Sequence, residues 1–248
     1  MFFRTESFQQ FIRYYPIVTA IILIHVLLYL VTTLPFFPGD YIFSILAGVN
    51  LYISEGELWR FITPTFLHSG FAHMLFNSFS LVLFGPGLER LLGKTKFLML
   101  YLAGGILANI ATYFVNPLYY THVGSSGAIF ALFGFYIAII VYRKHMLSQQ
   151  NSQIILTITV IGVIMTFIQP NINISAHVFG LIAGFMIGSI AYYDRHSKPS
   201  FGMRTSGGQM RLGKFSFAKI RLGSASKGKL IIWGIIAILA VLGFFSRF

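Results

Sequence analysis

The 248-residue chain contains no cysteine, and only 10% of its residues are charged, against 56% hydrophobic. Without cysteine, disulfides, thiolate catalysis and cysteine-ligated metals are excluded, while the redox compartment stays open. A soluble domain carries roughly 25% charged residues to wet its surface, so an ordinary water-soluble globule is excluded too. Acids are the scarcest class, 6 against 18 Lys and Arg, giving a formal charge of +12. The two-residue alternation of membrane β-strands is missing, and so are internal repeats of the kind found in many transporters. The first apolar run has no A-x-A-like cleavage site, so no cleavable signal or transit peptide is expected.

What is present is a series of long, nearly charge-free runs, with a mean hydropathy of +0.77 over the chain. Runs of this length match the roughly 20 helical residues that cross about 30 Å of hydrocarbon. They lie at Tyr15 to Phe36, Phe66 to Leu88, Phe97 to Val115, Ser126 to Tyr142, Ile154 to Ile168, Ile174 to Tyr193 and Leu230 to Phe245. The expected fold class is an all-α polytopic membrane protein. Its domains would be a cytoplasmic N-terminus (1–14), a six-helix core (15–193), a basic linker (194–229) and a seventh span (230–248). Residues 37–65, too mixed to span and rich in Tyr, Ile, Leu and Trp, read as a long membrane-associated loop.

Orientation follows from the basic residues, which gather on the cytoplasmic side of membrane proteins. A cytoplasmic N-terminus places sixteen of the eighteen Lys and Arg inside and leaves only Arg60 and Arg247 outside. The positive charge is therefore a topology signal, and no nucleic-acid partner is expected. The Gly-, Ser-, Lys- and Arg-rich segment from Asp194 to Lys229 suits a linker held to anionic lipid, where each basic residue contributes about 1 kcal/mol.

Polar groups inside spans are costly and are candidates for function. Here they are His25 in the first span, His68, His73 and Asn77 in the second, Ser126 opening the fourth and His177 in the sixth. Counting from the nearest charge at the inner end, Ser126 and His177 each lie seventeen residues up and His73 sixteen. At about 1.5 Å per residue, all three reach one level, roughly 24 to 26 Å above the inner boundary.

Their contexts suggest a chemistry for that level. Ser126 lies in Gly124-Ser125-Ser126-Gly127, between a loop and an apolar helix. A serine there stands beside unpaired backbone N–H groups that can hold an oxyanion. Taken alone, the tetrapeptide reads more readily as a helix N-cap with small packing residues. His177 precedes Gly180 and Gly184, a spacing that lets two membrane helices approach closely. The facing helix could be the fourth span, through Gly127, Gly134 and Ala138. Such packing would bring His177 toward Ser126 as a general base. No carboxylate is at hand to orient the imidazole, so catalysis would use a Ser/His dyad. His73 and Asn77, at i and i+4, share one helical face and can both donate hydrogen bonds. An interhelical structural bond is an equally good reading of His73 taken alone, and the plainer reading of His25, which has no such context. His68 and His73 on one helix would point about 140° apart, and no acid or cysteine completes a ligand set, so no metal and no cofactor are expected.

Taken together, these residues resemble the rhomboid family of intramembrane serine proteases. The likeness covers roughly Leu51 to Tyr193 and includes Trp59-Arg60, His68, His73, Asn77, the Gly85-Pro86-Gly87-Leu88-Glu89-Arg90 turn, Gly124-x-Ser126-Gly127 and Ala176-His177-x-x-Gly180-x-x-x-Gly184. The resemblance implies a rhomboid-like six-helix bundle plus a seventh C-terminal transmembrane helix. It implies Ser126 as nucleophile, His177 as general base, and His73, Asn77 and the Ser126 N–H as the oxyanion hole. Trp59, Arg60, Glu89 and Arg90 would shape the loop and helix ends. Phe130 would stack on the catalytic histidine in place of the family's frequent tyrosine. The expected partners are membrane-protein substrates, single-pass or polytopic, and the lipid bilayer, with the oligomeric state undetermined. Substrate helices would unwind near the outer face and be cut there, a small residue preceding the cut. A bacterial plasma membrane is the expected location. The alternatives are an inactive rhomboid-like binder of membrane helices, which retention of both Ser126 and His177 argues against, and a small transporter or channel, which would need a polar path continuing inward.

Overall fold

The computed structural model describes residues 5–192, together with Gly234, Ile238 and Val241. The expected linker 194–229 and most of the expected span 230–248 therefore lie outside the described residues. A short helix α1 (Phe8–Tyr14) leads into α2 (Pro16–Thr33), and α3 (Gly39–Leu46), β1 (Gly48–Val49) and α4 (Asn50–Ser54) follow. Two 3₁₀ turns, Leu58–Phe61 and Thr63–Phe66, precede α5 (Phe71–Leu92) and α6 (Lys94–Val115). After β2 (Thr121–His122) come α7 (Ser126–Tyr142), α8 (Gln149–Ile168) and α9 (Ile174–Tyr192). Five of these helices, α2, α5, α6, α8 and α9, are long and apolar enough to cross a membrane, and α7 is a shorter apolar helix.

Three sequence expectations need correction. The second span begins at Phe71 and not Phe66, because Thr63–Phe66 closes a 3₁₀ turn behind Pro64 and leaves His68 in the connecting loop. The segment Gly85 to Arg90 is no turn, since α5 runs through Pro86 to Leu92. Burial of Phe84, Gly85, Pro86 and Leu88 offsets the backbone hydrogen bond that proline removes. The 37–65 loop is largely helical, as its short apolar stretches fold back onto the bundle.

Small residues set the centre of the bundle. α7 packs most extensively on α9, and the contacts are nearly backbone to backbone. A side chain on Gly180 would run into the Gly127 carbonyl, one on Gly184 into the Ala131 carbonyl, and one on Gly134 into that of Leu181. On its other side α7 meets α6, where a Cβ on Gly104 would overlap that of Ala131. Close approach of this kind is what holds membrane helices together when lipid is as apolar as their side chains. α7 is thus the buried axis, with twelve of its residues in the interior, while α8 keeps only Ile155, Thr159 and Thr166 buried and turns Val160, Ile161, Ile164 and Ile168 outward.

Charged groups tie the periphery. The buried Glu89 carboxylate accepts from the backbone N–H of Ile17 (3.0 Å) and Val18 (2.9 Å), capping the first turn of α2. Arg60 donates from its Nη1 to the carbonyls of Ser44 (2.6 Å) and Ala47 (2.5 Å) and pairs through Nε with Glu57 (2.6 Å). Trp59 Nε1 donates to Ile45 O at 3.2 Å, so Trp59-Arg60 fasten α3 to the 3₁₀ turns.

The first loop is also clasped to the loop that ends at Ser126. β1 and β2 pair antiparallel, Gly48 opposite His122 and Val49 opposite Thr121. Asn50 Nδ2 donates to the carbonyls of Pro117 (2.9 Å) and Asn116 (3.2 Å), and Gly124 N donates to Pro64 O at 2.9 Å. His122 lies over Gly48, where any Cβ would overlap its ring. It is buried, and neither ring nitrogen has a partner among the described residues. Burial pushes its pKa from 6.5 down to about 4. The unfolded chain therefore binds a proton at His122 before the folded one does, and the clasp loses stability as pH falls from 6.5 to 4. Thermal unfolding in detergent should show this: relative to wild type, His122→Phe gains up to about 3 kcal/mol across that window and nothing further below it.

Candidate active site

The residues singled out by sequence meet at one end of the bundle, in the first turns of three helices. His73 is the third residue of α5, Ser126 the first of α7 and His177 the fourth of α9. The N-terminal ends of these helices carry partial positive charge and N–H groups without intrahelical partners. For α7, the first intrahelical bond runs from Ile129 N to Ser125 O, so the N–H groups of Ser126, Gly127 and Ala128 precede it, and no side chain caps them.

The α7–α9 packing joins Ser126 to His177. A Cβ on Gly127 would lie 3.5 Å from Ala176 O, and one turn further along α7 the Phe130 ring stacks on the His177 imidazole, centroids 4.2 Å apart and planes at 18°. The residue after Ser126 thus touches the residue before His177, and the two helices hold their side chains at one level. Among the described residues Ser126 Oγ makes no hydrogen bond in this resting arrangement. Catalytic bonds commonly tighten only once substrate is bound. His177 is buried, with its Nδ1 2.8 Å from Thr166 Oγ1 on α8.

His73 approaches from the other side. A Cβ placed on Gly124 would lie 2.7 Å from His73 Cε1 and Nε2 and 3.9 Å from Ser126 Oγ, so both side chains border the same small space. His73 Nδ1 is 3.1 Å from Ser69 Oγ, and Nε2 is the nitrogen nearer Gly124. Asn77 Nδ2 donates to His73 O at 3.0 Å, in keeping with their shared face. Gly124 is needed twice, once for its φ of +122° and once because the His73 ring occupies the position of its side chain.

His68 is not placed as the single-helix reading required. Lying in the loop before α5, it brings its ring to 5.1 Å from His73 and 4.7 Å from His25. Neither of its nitrogens has a partner among the described residues, and burial lowers its pKa to about 2. Among the described residues no group of three His, Asp or Glu has the geometry of a metal site. His25 bridges helices through Ser78 Oγ (3.3 Å) and the Tyr101 hydroxyl (3.2 Å).

Sequence reasoning missed Thr166, Gly162 and Ser69. Thr166 and Gly162 are single small residues in an apolar run, and Ser69 is one residue of a loop, so no spacing marks them as neighbours of the histidines. The clasp linking residues 48–49 to 121–122 was equally hidden, since strands of two residues leave no pattern.

A family model described as "Rhomboid domain" matches residues 55–194. Among curated proteins, YdcA of Bacillus subtilis, a rhomboid protease by assignment, is 49% identical over 187 residues, covering 75% of this chain and 94% of its own. The rhomboid protease GluP of Bacillus subtilis is 38% identical over 139 residues, 56% of this chain and 27% of that protein. The rhomboid protease GlpG of Haemophilus influenzae is 30% identical over 141 residues, 55% of this chain and 71% of that protein. The chain belongs to the rhomboid family. It is an intramembrane serine protease, a hydrolase built as a multi-pass integral membrane protein.

Gly124 offers a direct check on the geometry around Ser126. Gly124→Ala should lower cleavage of a membrane-anchored test substrate about tenfold or more, since the new methyl displaces His73 and strains a left-handed residue by roughly 1 to 2 kcal/mol. Turnover measured against the melting temperature separates that local effect from unfolding.

Proposed function

We propose that the protein cleaves transmembrane-helix substrates near the outer membrane face through a dyad of Ser126 and His177. The observation that carries this reading is the stacking of Phe130 on His177 beside the glycine contact that brings Ser126 to the same level. Ser126 Oγ attacks a substrate carbonyl carbon and gives its proton to His177 Nε2. The C–N bond then breaks, His177 returns the proton to the leaving amine, and an acyl-enzyme remains. Water attacks the ester, again losing a proton to His177, and the serine is regenerated with release of the acid.

Charge develops on the substrate oxygen, and the unpaired N–H groups opening α7 can receive it. His73 and Asn77 complete this oxyanion hole in our reading. A Ser69 hydroxyl donating to His73 Nδ1 leaves the ring proton on Nε2, the nitrogen beside Gly124. Trp59, Arg60, Gly180 and Gly184 act through the scaffold. A substrate helix must unwind first, because its carbonyls are otherwise hydrogen-bonded within the helix.

The six-helix core is completed by α7, whose seventeen residues span about 26 Å. Arg13, Arg90, Lys94, Lys96, Arg143 and Lys144 lie toward the end of the bundle opposite Ser126, which supports a cytoplasmic N-terminus in a bacterial cell.

Two experiments test these assignments. In liposomes with a single-span substrate, Ser126→Ala and His177→Ala should each reduce cleavage on the order of 10³-fold or more; undiminished cleavage by either removes the dyad. For orientation, a lone cysteine between 194 and 229 should resist impermeant thiol reagents in intact cells, and ready labelling reverses the topology.

A further inference from the structure

We infer that Thr166 is a positioning residue for the base: its hydroxyl accepts the Nδ1–H of His177 and so keeps Nε2 unprotonated toward Ser126. This rests on the reading of His177 as general base and supplies what the dyad lacks, a third group that orients the imidazole.

The proton inventory carries the argument. Thr166 has one hydroxyl proton, and Oγ1 lies 2.8 Å from two atoms, Gly162 O and His177 Nδ1. With the proton donated to the Gly162 carbonyl, Oγ1 offers His177 only a lone pair, so Nδ1 must be the donor. A neutral imidazole carries a single ring proton, and Nε2 is then the acceptor a serine hydroxyl needs. The opposite assignment puts the proton on Nε2 and leaves His177 unable to take one from Ser126.

Location supports the role. Thr166 is 1% exposed, in a region where an oriented dipole acts without competition from water. A carboxylate there would carry the desolvation cost of a buried charge, while a hydroxyl orients the ring without one. Phe130 fixes the plane of the ring and Thr166 fixes its rotation within that plane. Gly162, one turn before Thr166, lets α8 come this near: a Cβ there would lie 3.3 Å from Phe130 Cζ. The contact is the single hydrogen bond that α8 makes to another helix among the described residues. The base is thereby coupled to the position of α8, which with α2 is the least buried of the long helices described.

The test compares Thr166→Val, which keeps the shape and removes the acceptor, with Thr166→Ser, which keeps the hydroxyl, in the liposome assay, with melting temperatures measured in parallel. We expect Thr166→Val to lower kcat about tenfold, the equivalent of roughly 1.4 kcal/mol, with KM within about twofold, and Thr166→Ser to stay within about threefold of wild type. A wild-type kcat in Thr166→Val, or equal impairment of both variants, overturns the inference. Should Thr166→Val not survive extraction, Thr166→Cys takes its place with the same two outcomes, since a thiol is a much poorer acceptor. His177→Ala separates the two levels of the argument. If it is inactive while Thr166→Val cleaves normally, only the positioning role falls. If it cleaves normally, the base assignment falls and the positioning role with it.

Discussion

Lipid gives no hydrophobic reason for two apolar helices to prefer each other over acyl chains, so this bundle depends on close backbone contact between α7 and α9. Gly134, Gly180 and Gly184 lie where a side chain would run into a carbonyl of the facing helix, while one on Gly127 would run into Ala108 of α6 and rest in ordinary contact with Ala176 of α9. Dispersion over so short a separation, and carbonyls set against Cα groups, provide the attraction. The same contact aligns the first turns of both helices, so packing and site are one arrangement.

Around that seam the remaining elements position by hydrogen bonds. The 3₁₀ turn at Thr63–Phe66 receives the Gly124 N–H through Pro64 O, and Asn109 reaches from α6 to Phe61 O at 2.9 Å. Thr112, Asn173 and Ser175 form a further polar cluster between α6 and the start of α9, with Asn173 Oδ1 accepting from Ala176 N at 3.0 Å. Each bond fixes a loop or helix end whose backbone groups would otherwise lie unpaired in a medium that punishes them. The N-terminus of α7, like those of α5 and α6, has no side-chain cap, and a reacting oxygen is what its N–H groups beside Ser126 would suit.

Histidine is used here in several ways. His25 is consumed by helix bridging, His122 by the clasp between residues 48–49 and 121–122, and His68 by contact with His73 and His25. Among the described residues, His73 and His177 are the histidines seen to border the Ser126 end of α7. Their partners, Ser69 and Thr166, are both neutral hydroxyls. A site that orients its histidines without a buried carboxylate avoids holding an uncompensated charge in a low-dielectric setting.

Much of this protein was legible in the sequence because the bilayer constrains it so tightly. Hydrocarbon thickness fixes the length of a span, so α2, α5, α6, α8 and α9 could be placed, and Ser126, His73 and His177 were assigned one depth by counting residues. Helical periodicity paired His73 with Asn77 and Gly180 with Gly184, and charge asymmetry implied an orientation. Tertiary structure decided everything set by contacts between distant segments. The true start of α5 turned on a 3₁₀ turn at Pro64, the fate of His68 on the loop that follows, and the clasp of Gly48 to His122 on strands too short to leave a pattern. The same holds for Thr166 at His177: which hydroxyl in an apolar run meets which imidazole depends on the rotation and approach of two helices, and local sequence encodes neither.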